Sequence, residues 1–146
     1  MKRLLPLFGL LFVFAAACGQ KSEIYTTANG AIDGYDPVAY FTEKKPVAGR
    51  AEITAVWKEQ TWRFASQKNK ELFVANPEKY APQYGGYCAY GMAGGYKAKT
   101  EADAWAIVND KLYLNYNKKV QKDWLEQKAG MIEKADKNWP TVRTKE

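Results

Sequence analysis

Glu52-Ile53-Thr54-Ala55-Val56-Trp57-Lys58-Glu59-Gln60-Thr61-Trp62-Arg63-Phe64 is the stretch that decides the fold. β-branched and aromatic residues fill Glu52 to Trp57 and Thr61 to Phe64, and Lys58-Glu59-Gln60 separates the two runs, so the stretch predicts a β-hairpin. Immediately after it, Ser66 is placed to N-cap a helix through Ala75, with Leu72 and Phe73 on the buried side. Asn76-Pro77-Glu78 restarts a helix, with Asn at the N-cap, Pro at the first helical position and an acid in the first turn. Ala81-Pro82 stops it, because proline lacks the N–H and clashes with the preceding turn.

Working outward, Ala31-Ile32-Asp33-Gly34-Tyr35-Asp36-Pro37 has the residues of a loop and leads into the apolar Val38-Ala39-Tyr40-Phe41. Downstream, Ala104 to Val108 and Lys111 to Asn115 flank Asn109-Asp110, a two-residue connection suited to a second hairpin. Val120, Trp124, Met131, Ile132 and Ala135 recur at helical spacing from about Lys118 to Lys137, and Gly130 is expected to bend or split that helix. The expectation is an α+β fold: one small domain with two β-hairpins and three to four helices, spanning 31–140 and followed by a polar tail at 141–146.

The N-terminus is of a different kind. Met1-Lys2-Arg3 is basic, and Leu4 to Ala17 is an apolar run of 14 residues. A helix needs about 20 residues to cross a hydrocarbon core. The run therefore reads as a signal peptide over 1–17. Ala15-Ala16-Ala17-Cys18 resembles the lipobox of bacterial lipoproteins, in which the cysteine is lipidated and becomes the new N-terminus. That resemblance implies a lipid anchor on Cys18, a tether over 18–30, and a membrane as partner. Gly19 is not the aspartate that commonly retains lipoproteins at an inner membrane, so the expected location is the bacterial envelope, on the periplasmic face of the outer membrane. An ordinary secretory signal ending Ala-x-Ala is the alternative.

Composition narrows the chemistry. About 128 residues follow Cys18, enough for one modest core. Losing Lys2 and Arg3 lowers the formal charge from +6 to +4, and the surplus is spread along the chain, so nucleic acid is not an expected partner. With Cys18 committed to lipid, Cys88 is the only remaining cysteine, which excludes an intramolecular disulfide. The chain has no histidine. That removes Cys–His and Ser–His nucleophile pairs, His-ligated metal sites and the usual general base near neutral pH.

Residues 83–96 hold the candidate ligand loop. Five glycines, four tyrosines, Cys88 and Met92 fall within these 14 residues. Cys88 and Met92 are four apart, on one face of a helical turn, and thiolate with thioether suits Cu(I). Tyr87, Tyr90, Gly85 and Gly86 would line such a site. The structural alternative makes Cys88 a small buried residue among aromatics, with the glycines supplying turns. Asp33 and Asp36 read equally well as carboxylate ligands or as turn formers.

Three blocks together resemble the YHS domain: Tyr35-Asp36-Pro37-Val38-Ala39-Tyr40-Phe41, Thr61-Trp62-Arg63-Phe64-Ala65-Ser66 and Phe73-Val74-Ala75-Asn76-Pro77-Glu78-Lys79-Tyr80. The family typically carries cysteines in the first two blocks, presumed to bind metal. Here Ala39, Ala65 and Asn69 stand at those positions, so the resemblance implies the fold without the family's zinc-type site. The sequence thus points to a lipid-anchored, non-enzymatic binding module handling copper or another small ligand. A redox or enzymatic role through Cys88, and a purely structural envelope protein, are the alternatives.

Overall fold

A computed structural model describes residues 22–145. The signal-peptide reading and Cys18 lie outside the described residues. Three two-stranded antiparallel hairpins and six α-helices make up an α+β fold. Short strands β1 (Thr26–Thr27) and β2 (Gly30–Ala31) come first, then helix α1 (Ala39–Thr42). The hairpin of β3 (Arg50–Trp57) and β4 (Gln60–Phe64) leads into α2 (Gln67–Ala75) and α3 (Pro77–Tyr80). Then follow α4 (Ala89–Ala93), the hairpin β5 (Trp105–Val108) and β6 (Lys111–Leu114), and helices α5 (Lys118–Glu126) and α6 (Lys128–Val142).

The local signals act as their chemistry dictates. Ser66 Oγ accepts from Asn69 N at 3.1 Å and caps α2, and Asn117 Oδ1 accepts from Val120 N at 2.9 Å and caps α5. Asn109 and Asp110 are both left-handed, with φ of 50° and 60°, which matches the twist of a two-residue hairpin turn. Lys58 and Glu59 do the same at 49° and 65°, and Gln60 pairs with Trp57, so the connection is two residues rather than three.

Alternation along the second hairpin divides the interior. Leu112 and Leu114 face one cluster with Trp62, Phe64, Phe73 and Tyr40. Tyr113, between them, faces another with Tyr84, Tyr87, Met92, Trp124 and Ala135. Trp105 and Ile107 follow the first face, Ala106 and Val108 the second. Because side chains alternate across a strand, this hairpin is a wall with a core on each side.

Several boundaries differ from those expected. The segment read as a tether is folded from Ser22 on: Ile24 is buried, and β1 and β2 add a third hairpin. The terminal helix divides at Gln127, not Gly130, whose missing Cβ would meet nothing within 4 Å. Nothing at Gln127 is a breaker in sequence, and α6 packs on α4 beyond it. Packing also passes Pro140, since α6 runs to a buried Val142. Among the described residues, no helix is long and apolar enough to cross a membrane.

Candidate functional site

Two polar centres are buried in the fold. The first is Asp36, fully buried at the entry to α1. One carboxylate oxygen accepts from Val38 N at 2.8 Å and Ala39 N at 3.3 Å. The other accepts from Ala65 N and Asn69 Nδ2, both at 2.8 Å. The three positions at which the resemblance places metal-binding cysteines therefore converge on one carboxylate. Ala39 and Ala65 contribute backbone N–H groups, and Asn69 turns its amide nitrogen inward as a donor.

This donor set does not fit a cation. Every hydrogen-bond partner of the Asp36 side chain is an N–H, and both carboxylate oxygens are already engaged by two donors each. Two alanines supply no ligand atom. Among the described residues, no three acidic or cysteine side chains cluster in a way that would hold a metal ion. Asp33, the other candidate carboxylate, is exposed and accepts from Thr27 Oγ1 at 2.7 Å and Asn29 Nδ2 at 3.0 Å, bracing the β1–β2 turn.

The second centre is Cys88, the residue before α4. It is 2% exposed, and Met92 is wholly buried one turn on, with Met92 N donating to Cys88 O at 2.9 Å. Cys88 is the N-cap of α4 with non-helical angles, φ −56° and ψ 120°, so helical spacing does not set the direction of its side chain relative to that of Met92. The thiol donates to Asn115 Oδ1 at 3.6 Å and accepts from Gly91 N at 3.5 Å. Burial pushes the thiol pKa above its ordinary value, an effect partly offset by the backbone N–H groups of Gly91, Tyr116 and Tyr90. Asn115 is itself fully buried, and its Oδ1 also accepts from Tyr90 N at 3.0 Å. Its Nδ2 makes no hydrogen bond among the described residues.

The surrounding loop is held on all sides. Tyr87 is buried and its hydroxyl donates to Ser22 O at 2.6 Å; burial pushes this phenol up to about 12. Tyr84 donates to Asp136 Oδ1 at 2.8 Å, and burial with that bond raises its pKa strongly. Gly85 and Gly86 have φ of 63° and 85°. A Cβ on Gly85 would overlap the Glu23 carbonyl oxygen, and one on Gly86 would press on Ile32. These glycines admit neighbouring protein, and Thr100 Oγ1 donates to Gly86 O at 2.8 Å. Tyr90 is exposed, as are Tyr96 and Tyr116.

Neither nearby lysine is seen turned to the sulfur. Lys97 Nζ donates to Arg143 O at 2.9 Å and Lys145 O at 2.7 Å, capping the end of α6, and lies 5.3 Å from the Tyr87 ring. Lys99 Nζ sits 5.5 Å from the Tyr116 ring. Asn138 Nδ2 bonds the carbonyls of Met92 and Ala93, fastening α4 to α6. Asn115 and Asn138 gave no signal in the sequence, since their partners lie more than 20 residues away.

The family model of the YHS domain matches residues 38–84, from the entry of α1 to the turn before Gly85. Cys88, Met92 and Asn115 lie beyond the matched segment. No curated protein and no solved structure matches the chain.

Proposed function

We propose that this chain, which carries a YHS domain over residues 38–84, is a lipid-anchored protein of the bacterial envelope whose folded part is a non-enzymatic binding module. The observation that supports this most is the saturation of Asp36 by four donors from Val38, Ala39, Ala65 and Asn69. The family's ligand positions have become a structural hub, so binding falls to the surface, where Tyr90, Tyr96 and Tyr116 are exposed. A thiol-based reaction needs an accessible, stabilised thiolate, and Cys88 is buried with its pKa raised.

The anchor reading rests on Ala15-Ala16-Ala17-Cys18 and on Gly19, which favours the outer membrane. The mature chain is expected to begin at Cys18 and carry acyl mass. Intact-mass measurement of protein extracted from the host envelope checks this, and an unmodified chain beginning at 18 or 19 overturns it. Cys18→Ser is expected to abolish the lipid.

A second reading, Cu(I) held between Cys88 and Met92, is favoured by the burial of both sulfurs one backbone turn apart. Copper competition separates it from packing. Ligation requires that Cys88→Ser and Met92→Leu both weaken uptake, and Met92→Leu keeps volume and should cost less than about 1.5 kcal/mol of stability. Packing requires slow alkylation of native Cys88, and for Cys88→Ser a stability loss of about 1–3 kcal/mol with copper affinity unchanged. We expect the packing pattern.

A further inference from the structure

The folded chain leaves its core at a fixed point. Ser22 is held by Tyr87 through its carbonyl and by Gln60 Nε2, which donates to Ser22 Oγ at 3.2 Å. Ile24 is locked in the core two residues later. Cys18 precedes Ile24 by six residues, which even fully extended reach only about 21 Å. A domain so closely leashed holds the surface around Ser22 next to whatever Cys18 is attached to.

That surface carries four exposed basic residues, Lys58, Lys99, Arg143 and Lys145, against two carboxylates, Glu23 and Glu59. Two grooves flank Ser22. Lys58, Gln60, Arg143 and Thr144 line one, and Tyr25, Tyr87, Lys97 and Lys99 line the other. Lys58, Lys99, Arg143 and Lys145 are exposed there, with Lys145 brought in by the bond from Lys97 to its carbonyl. The carboxylates lining the grooves are Glu23, which pairs with Lys58 at 3.1 Å, and Glu59. Arg143 and Lys145 are exposed beside them, and Lys99 Nζ lies over the Tyr116 ring at 5.5 Å. Lysine and arginine beside half-buried tyrosine is the composition that suits a phospholipid headgroup layer.

We infer that the surface around Ser22 docks flat on a bilayer bearing anionic phospholipid headgroups, so that the lipid on Cys18 and this basic patch engage the same membrane. The inference rests on the anchor reading of Cys18. Each basic residue near an anionic surface strengthens the contact roughly fivefold.

The test uses the mature chain purified from its envelope and reconstituted into vesicles of phosphatidylcholine alone or mixed with phosphatidylglycerol. Amine labelling is read lysine by lysine, after intact mass has established the lipid. Lys58, Lys99 and Lys145 should label several-fold more slowly on the mixed vesicles, whereas Lys119 and Lys122, which line neither groove, should not change. The protection should fade in high salt, which screens surface charge, and in a Lys99→Glu/Arg143→Glu double variant. Equal labelling of a lipidated chain on both vesicles overturns the docking and leaves the anchor standing. A chain with no lipid on Cys18 removes the premise, and the docking with it.

Discussion

Asp36→Asn is expected to destabilise the fold by about 3–5 kcal/mol, because it turns an acceptor into a donor where only donors face it. Val38 N, Ala39 N, Ala65 N and Asn69 Nδ2 all point at the carboxylate. An amide can satisfy two of them through its oxygen and must set its NH2 against the rest. The carboxylate also ties the start of α1 to the end of β4 and the first turn of α2, elements about 30 residues apart in sequence. Urea unfolding of the mature chain gives the measure. A loss below about 1 kcal/mol, the range of an ordinary surface substitution, would show that the four bonds contribute little. Asn69→Ala removes one donor and leaves the carboxylate three, so it should cost much less. The contrast distinguishes a hub from a generally fragile region.

What the sequence shows and what it hides divide along the range of the interactions. The β3–β4 and β5–β6 hairpins were legible because runs of β-branched and aromatic residues around a short polar turn are local properties, although the first turn was read one residue too long. The cap at Ser66 and the helix restart at Pro77 depend on residues within one turn. Asp36 read equally as a carboxylate ligand or as a turn residue before a proline, and its carboxylate accepts from Val38 N two residues on, as a turn former does. Its partners Ala65 and Asn69 become neighbours only once the hairpin has folded back. Ile24 was hidden for another reason: a single apolar residue among polar ones has no period to detect, and β1 and β2 have two residues each. The spacing of Cys88 and Met92 pointed to a shared helical face, but Cys88 is the non-helical N-cap of α4, and spacing carries nothing about depth: both side chains lie in the interior.

Gly85→Ala is expected to be the most damaging single methyl group in the ligand-loop region, at about 3–4 kcal/mol. Two effects add. Gly85 sits at φ 63° between Tyr84 at 58° and Gly86 at 85°, and alanine resists the left-handed region. Its Cβ would also overlap the Glu23 carbonyl, which is backbone and cannot swing aside like a flexible side chain. Tyr84 tolerates its own left-handed angle because its ring packs against Tyr113 and Trp139 and its hydroxyl bonds Asp136, so the turn cannot readily shift to make room. The segment that must yield is Glu23 to Tyr25, whose Tyr25 N donates to Gly85 O at 2.8 Å. Limited proteolysis should therefore find new cleavage around residues 22–27, alongside the drop in unfolding free energy. Gly130→Ala supplies the opposite sign: in α6, with open space at its Cβ, it should stabilise by about 0.5–1 kcal/mol. If Gly85→Ala were tolerated as well as Gly130→Ala, Gly85 would not be in close packing against Glu23. The loop would then have the slack that a ligand-admitting glycine turn requires.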